Sequence, residues 1–311
     1  MIRTVCGDVE GLTGRVLTHE HLQIDLTSTK GAHVRLGHDE LDSVISDVRH
    51  VASLGFGAIV DVTTPEAGRD VLALKHISQV SGVAVVCSTG YYWDPLTSIV
   101  ADTHLDNLCG RLMSELTDSI EGSDIRAGLI KVGTHTGEIN AAYGKIFQAA
   151  ARASLLTGAP IVTHTSEPEQ ALWQIETLLK HGADPRHVLI GHLDRSDKKL
   201  VAQLADYGCF LGIDKIGYTW QRPDEERADL VKFMLDNGWQ DKIVLSSDMA
   251  RKGRLESQSG NSDSSYSTTW LRFAPLLRDR GISDSTIESI LHENPNRLLS
   301  WSPPSDKHQP G

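Results

Sequence analysis

The chain has 311 residues, of which 40% are hydrophobic and 23% charged, enough to bury a sizeable core and too apolar for a disordered chain. Its formal net charge of -11 repels phosphate backbones and anionic lipid, which argues against nucleic acid or a membrane as the main partner. Cys6, Cys87, Cys109 and Cys209 are widely spaced with no CxxC pair, so neither a zinc ribbon nor a disulfide framework is indicated.

No charged segment followed by an apolar stretch opens the chain, and no apolar run approaches the length of a membrane span. A cytoplasmic protein acting on a small molecule is the expectation. In chain order, strand-like apolar runs fall at 15–18, 57–62, 83–88, 128–133, 160–164, 187–192, 208–213 and 242–247. Several are continuous and β-branched, as parallel strands buried on both faces should be. Amphipathic helical stretches lie between them, including 39–54, 140–157, 167–181, 197–207 and 224–237. Gly55, Gly158, Gly182, Gly208 and Gly238 each follow such a stretch, where a left-handed cap is wanted. Eight strand–helix units predict an α/β fold of the (β/α)8 TIM-barrel type, with no glycine-rich phosphate loop to suggest an open sheet. Residues 1–301 are expected to form one barrel domain, and 302–311, with two prolines and little to bury, a poorly ordered tail.

Barrel enzymes carry their chemistry at the C-terminal ends of the strands. Here those ends hold His19 and His21 on strand one, Lys131 on strand four, His164 on strand five, His192 on strand six and Asp248 on strand eight. Residues i and i+2 of a strand share a face, so His19 and His21 can both point into the mouth. An HxH pair is weak evidence among 14 histidines. A lysine in an apolar inward strand is either a partnered ammonium or a carbamate formed with carbon dioxide, whose two oxygens can bridge two cations. Six such residues at five strand ends point to two divalent ions. Metal coordination brings the pKa of water towards ~7 and provides hydroxide at neutral pH, while Asp248 is placed to take up a proton. Zinc is the first expectation, and the mixed N/O set also suits Mn, Co or Fe.

This pattern resembles the phosphotriesterase family of the amidohydrolase superfamily, which includes phosphotriesterase-like lactonases. The resemblance rests on Thr18-His19-Glu20-His21-Leu22, Val60-Asp61-Val62-Thr63, Gly68-Arg69-Asp70, Ile130-Lys131-Val132-Gly133, Thr163-His164-Thr165, Gly191-His192, Ser247-Asp248 and the closing Glu293-Asn294-Pro295-Asn296-Arg297-Leu298-Leu299. It implies that His19, His21 and Asp248 hold the more buried ion, that His164 and His192 hold the more exposed one, and that carboxylated Lys131 bridges them. Thr89-Gly90-Tyr91-Tyr92 resembles the lactonase branch and implicates Tyr92 beside the hydroxide or substrate. Asp214-Lys215-Ile216-Gly217 likewise implies that Lys215 stands near the substrate carbonyl. Family members are often homodimers, and Trp93 is a candidate for such an interface.

Substrate is harder to read. After His192, Arg195 interrupts the acidic run that organophosphate-degrading members carry, which puts efficient triester hydrolysis in doubt. After strand eight come Arg251, Lys252 and Arg254, either a solvated loop or a clamp for a carboxylate or phosphate. Tyr218 and Trp220 are candidates for one pocket wall. The leading expectation is a lactone or carboxylic ester bearing an anionic group. The alternatives are a small amide or other C–N bond, weak triesterase activity, and a non-enzymatic binding barrel, which should have lost a ligand.

Overall fold

The computed structural model describes residues 1–31, 33–92, 100–260, 263 and 265–301. Trp93 and the tail 302–311 lie outside them. Eight strands form one parallel sheet in chain order: β1 (Arg15–Glu20), β2 (Phe56–Asp61), β3 (Ala84–Tyr91), β4 (Leu129–Thr134), β5 (Ile161–Thr165), β6 (Val188–Ile190), β7 (Phe210–Ile213) and β8 (Ile243–Leu245). Beyond the ladder of β8, the Asp248 N–H donates to the His19 carbonyl at 3.1 Å and the His21 N–H to the Met249 carbonyl at 3.2 Å. These bonds join β8 to β1 at the mouth, so the sheet is a nearly closed TIM barrel.

Alternation within the strands divides the apolar side chains into two sets. Val16, Val60, Val86, Leu129, Val162 and Val244 meet inside the barrel. Their neighbours Leu17, Ile59, Val85, Ile130, Ile161 and Ile243 face outward to the helical layer. That layer begins with α1 (Leu41–Ser53), α2 (Val71–Ser81), α3 (Leu105–Thr117) and α4 (Ala141–Thr157), and continues with α5 (Gln170–Lys180), α6 (Lys198–Asp206) and α7 (Asp224–Asp236). The sequence accounts for the bounds of α4 directly. The Asn140 side chain accepts the N–H groups of Ala142 and Tyr143 at 3.0 and 3.3 Å. At the other end Gly158 adopts φ 79° and donates to the Ser154 carbonyl.

Ile2, Leu12, Leu298 and Leu299 join the interior cluster and close the barrel at the end away from the strand C-termini. Trp301 fastens this plug: its indole N–H donates to the Gly128 carbonyl at 2.9 Å, and the Arg3 guanidinium lies 3.8 Å from its ring centre. Among the described residues, no helix is long and apolar enough to cross a membrane.

Candidate active site

Two-residue alternation delivers part of the site. Lys131 shares the inward face of β4 with Leu129, and His164 that of β5 with Val162. The same rule fails on β1. Val16 points inward, so unbroken alternation would turn His19 and His21 outward. A register shift between Leu17 and Glu20 resets the pleat. His19 Nε2 then lies 3.0 Å from Lys131 Nζ, and His21 Nε2 lies 3.4 Å from Asp248 Oδ1.

His192 and Asp248 reach the mouth through left-handed backbone, at φ 62° and 48°. Each is held there by its neighbours. The Tyr218 hydroxyl donates to the Asp248 carbonyl at 2.6 Å. The two carboxylate oxygens of buried Glu20 accept the Ser247 and Met249 N–H groups, both at 2.7 Å. His192 donates its backbone N–H to Asp214 Oδ1 at 2.8 Å.

Asp214, next to Lys215, is a site residue that the sequence motifs do not single out. It directly follows β7, two residues past Gly212, with its carboxylate between two imidazoles. Oδ1 lies 2.8 Å from His192 Nδ1, and Oδ2 lies 2.8 Å from His19 Nδ1. The hydrogen bond at His192 holds its proton on Nδ1, and the negative charge beside His19 Nδ1 favours the same tautomer there, so both Nε2 atoms face the cup. A side chain on Gly191 or Gly212 would press on it, because a Cβ would fall 3.0 or 2.9 Å from Asp214 Oδ2. Its position at a strand end was the signal that could have found it. His21 is oriented in a similar way, its Nδ1 lying 2.7 Å from Thr63 Oγ1.

The electrostatics suit a divalent cation. Burial lowers the pKa of His19 to about 3, aided by Lys131, and holds those of His164 and His192 down as well. These rings are therefore neutral donors at neutral pH. Burial alone would raise Asp248, but Lys215 and His192 outweigh it and hold the carboxyl well below its usual range. Burial also pulls the fully enclosed Lys131 amine down to about 7, against the pull of Asp214 and Asp248. Ligand atoms of His19, His192 and Asp248 all lie within 4.8 Å of one another. His192 Nε2 lies only 2.7 Å from His164 Nδ1. Neutral imidazoles, a carboxylate and a partly neutral amine at this spacing fit a metal centre.

The remaining sequence-predicted residues surround this cup at different distances. The Tyr92 ring is buried 4.9 Å from the His164 ring and 5.4 Å from Lys131 Nζ. Lys215 Nζ lies 3.3 Å from Asp248 Oδ2. Arg254 stacks on Tyr218 and Trp220, 4.3 and 4.1 Å from their ring centres, so aromatic faces occupy its guanidinium plane. Arg251 is half-buried and Lys252 exposed. A cavity of about 230 Å³ opens beside the cup, lined by His164, His192 and Lys215 together with Lys30, Arg195 and Gln221.

Residues 1–299 match the phosphotriesterase family. The phosphotriesterase homology protein of Escherichia coli K12 is 32% identical over 290 residues, 92% of this chain and 98% of that protein. Its crystal structure, with phosphate in the active site, gives a TM-score of 0.88 and covers 93% of this chain and 99% of that one. A lactonase from Listeria monocytogenes has a TM-score of 0.88 at 27% identity, covering 97% and 99% of the two chains. The N-acetyltaurine hydrolase of Rattus norvegicus is 28% identical over 351 residues, 96% of this chain and 98% of its own length. The chain therefore belongs to the phosphotriesterase family of metal-dependent hydrolases.

Proposed function

We propose that the chain is a binuclear metal-dependent hydrolase that cleaves a small lactone or carboxylic ester bearing an anionic group. The observation that carries this reading is the pairing of Lys215 Nζ with Asp248 Oδ2 at 3.3 Å, beside the cup of neutral imidazoles. In it, His19, His21 and Asp248 would hold one ion and His164 and His192 the other, and Lys131, as its carbamate, would serve both. The neutral fraction of the buried Lys131 amine is the form able to condense with carbon dioxide. When bound, divalent cations supply Lewis acidity, lowering the pKa of water towards ~7 and polarising a carbonyl oxygen.

The chain's own residues do the rest. Asp248, ionised at neutral pH, accepts the proton that water loses as it attacks the carbonyl carbon. Cleavage of the C–O bond to the leaving alkoxide then calls for a proton, which Asp248 can return. Lys215 directs its charge at the oxygen of the carbonyl, and Tyr92 walls the cup on the His164 side. Asp214 keeps His19 and His192 in one tautomer throughout.

A second reading, hydrolysis of an amide, is favoured by the similarity to the rat N-acetyltaurine hydrolase, whose named substrate is an amide with a sulfonate. The E. coli relative holds phosphate in its active site, an oxyanion compatible with either reading. The test is a hydrolysis panel of lactones, esters, N-acyl aminosulfonates and a phosphotriester on metal-loaded protein. Lactones or esters in the lead would support the first reading, and N-acyl aminosulfonates the second. A phosphotriester turned over far faster than all of these would overturn both.

A further inference from the structure

The three cations that follow β8 in sequence are not the ones lining the cavity beside His164 and His192. Its lining cations are Lys30, Arg195 and Lys215. Lys30 comes from a short helix, Thr27–Lys30, between the paired segments Ile24–Asp25 and Arg35–Leu36 just after β1. Arg195 is tied to the wall by a hydrogen bond from Nη2 to the Ser166 carbonyl, two residues past His164. Two carboxylates also reach this cavity. Asp194 is neutralised by buried Arg227 at 2.8 Å and Lys215 is paired with Asp248 at 3.3 Å, which leaves Glu167 against Lys30 and Arg195. The mouth is thus locally positive in a chain of net charge -11.

We infer that Lys30 forms a subsite at the mouth of this cavity for the oxyanion group of the substrate, a carboxylate, sulfonate or phosphate. This rests on the hydrolase reading above and names the residue that selects for an anionic substrate. Burial lowers the Lys30 ammonium's affinity for its proton, and Lys215 and Arg251 lower it further. An anion seated among these cations would relieve that repulsion. The cavity volume of about 230 Å³ lies below the usual range for drug-sized ligands and suits a compact polar molecule rather than a long acyl chain.

The test pairs an acyl substrate carrying a sulfonate tail with a neutral counterpart carrying a methyl sulfone tail, on wild type, Lys30→Gln and Lys30→Arg. Loss of a charge-assisted contact should lower kcat/KM for the sulfonate about tenfold more than for the neutral compound, with most of the loss restored in Lys30→Arg. A calorimetric titration of metal-loaded protein with ethanesulfonate, propionate and methylphosphonate supplies a readout independent of turnover. At least one of these should bind wild type and weaken about tenfold in Lys30→Gln. If the protein cleaves none of the acyl substrates yet shows that weakening, the hydrolase reading fails and the subsite stands. If turnover proceeds and Lys30→Gln affects both substrates equally, or none of the three anions binds in a Lys30-dependent way, the subsite is overturned.

Discussion

At the scale of single residues, Asp214 concentrates much of what the site needs. One carboxylate lies 2.8 Å from the Nδ1 atoms of two imidazoles that reach it from the ends of β1 and β6. Asp214→Asn keeps one acceptor oxygen where the His192 backbone N–H, His192 Nδ1 and His19 Nδ1 now share two, and turns an amide N–H₂ towards one of them. Metal affinity should fall about 10–100-fold while the protein stays folded, read by chelator-competition titration with circular dichroism as control. Unchanged affinity would remove Asp214 from its orienting role. The sequence made the cup legible because each of its residues lies in or within three residues past a strand of recognisable apolar pattern. It did not reveal Asp214, whose partners are the Nδ1 atoms of His19 and His192, brought close only by barrel closure. Nor could it show that Arg254 stacks on Trp220 and Tyr218, a contact between loops with no periodicity to mark it.

At the scale of elements, the ends of β6 and β7 are gripped by α7 through Arg227. This side chain is fully buried, and it meets Asp194 and Asp224, each at 2.8 Å, and the Tyr218 carbonyl at 3.1 Å. Asp194 in turn accepts the Asp214 and Lys215 N–H groups at 3.2 Å, so one ion cluster sets the loop that carries Lys215. Arg227→Met would leave Asp194 buried without its counter-charge. Stability should drop by about 3–5 kcal/mol in urea denaturation, and Asp194→Asn in the same chain should recover part of it. A loss below about 1 kcal/mol would show that the cluster holds little, as exposed ion pairs often do. Strand and helix positions agree with the apolar pattern to within a few residues. The register shift in β1 does not follow from that pattern. The pattern places His19 and His21 on one face, but which face depends on the shift between Leu17 and Glu20.

At the scale of the whole molecule, the barrel separates stability from chemistry. Ile2, Leu12, Leu298 and Leu299 plug one end, and the Trp301 contacts to Gly128 and Arg3 fasten the segments around Arg3 and Trp301 against it. The other end collects the titratable groups, and the buried amine of Lys131 lies between the His19 imidazole of β1 and the carbonyl of Thr163 on β5. Burying so many polar groups without a cation is costly, so metal should contribute to folding as well as to turnover. The most direct test of the account is metal content by mass spectrometry, on wild type and Lys131→Ala, each purified after loading with divalent ion and bicarbonate. The account predicts about two ions per wild-type chain and clearly fewer in Lys131→Ala, with short carboxylic acids restoring part of the difference. Wild-type protein that retains no metal after this treatment would contradict it.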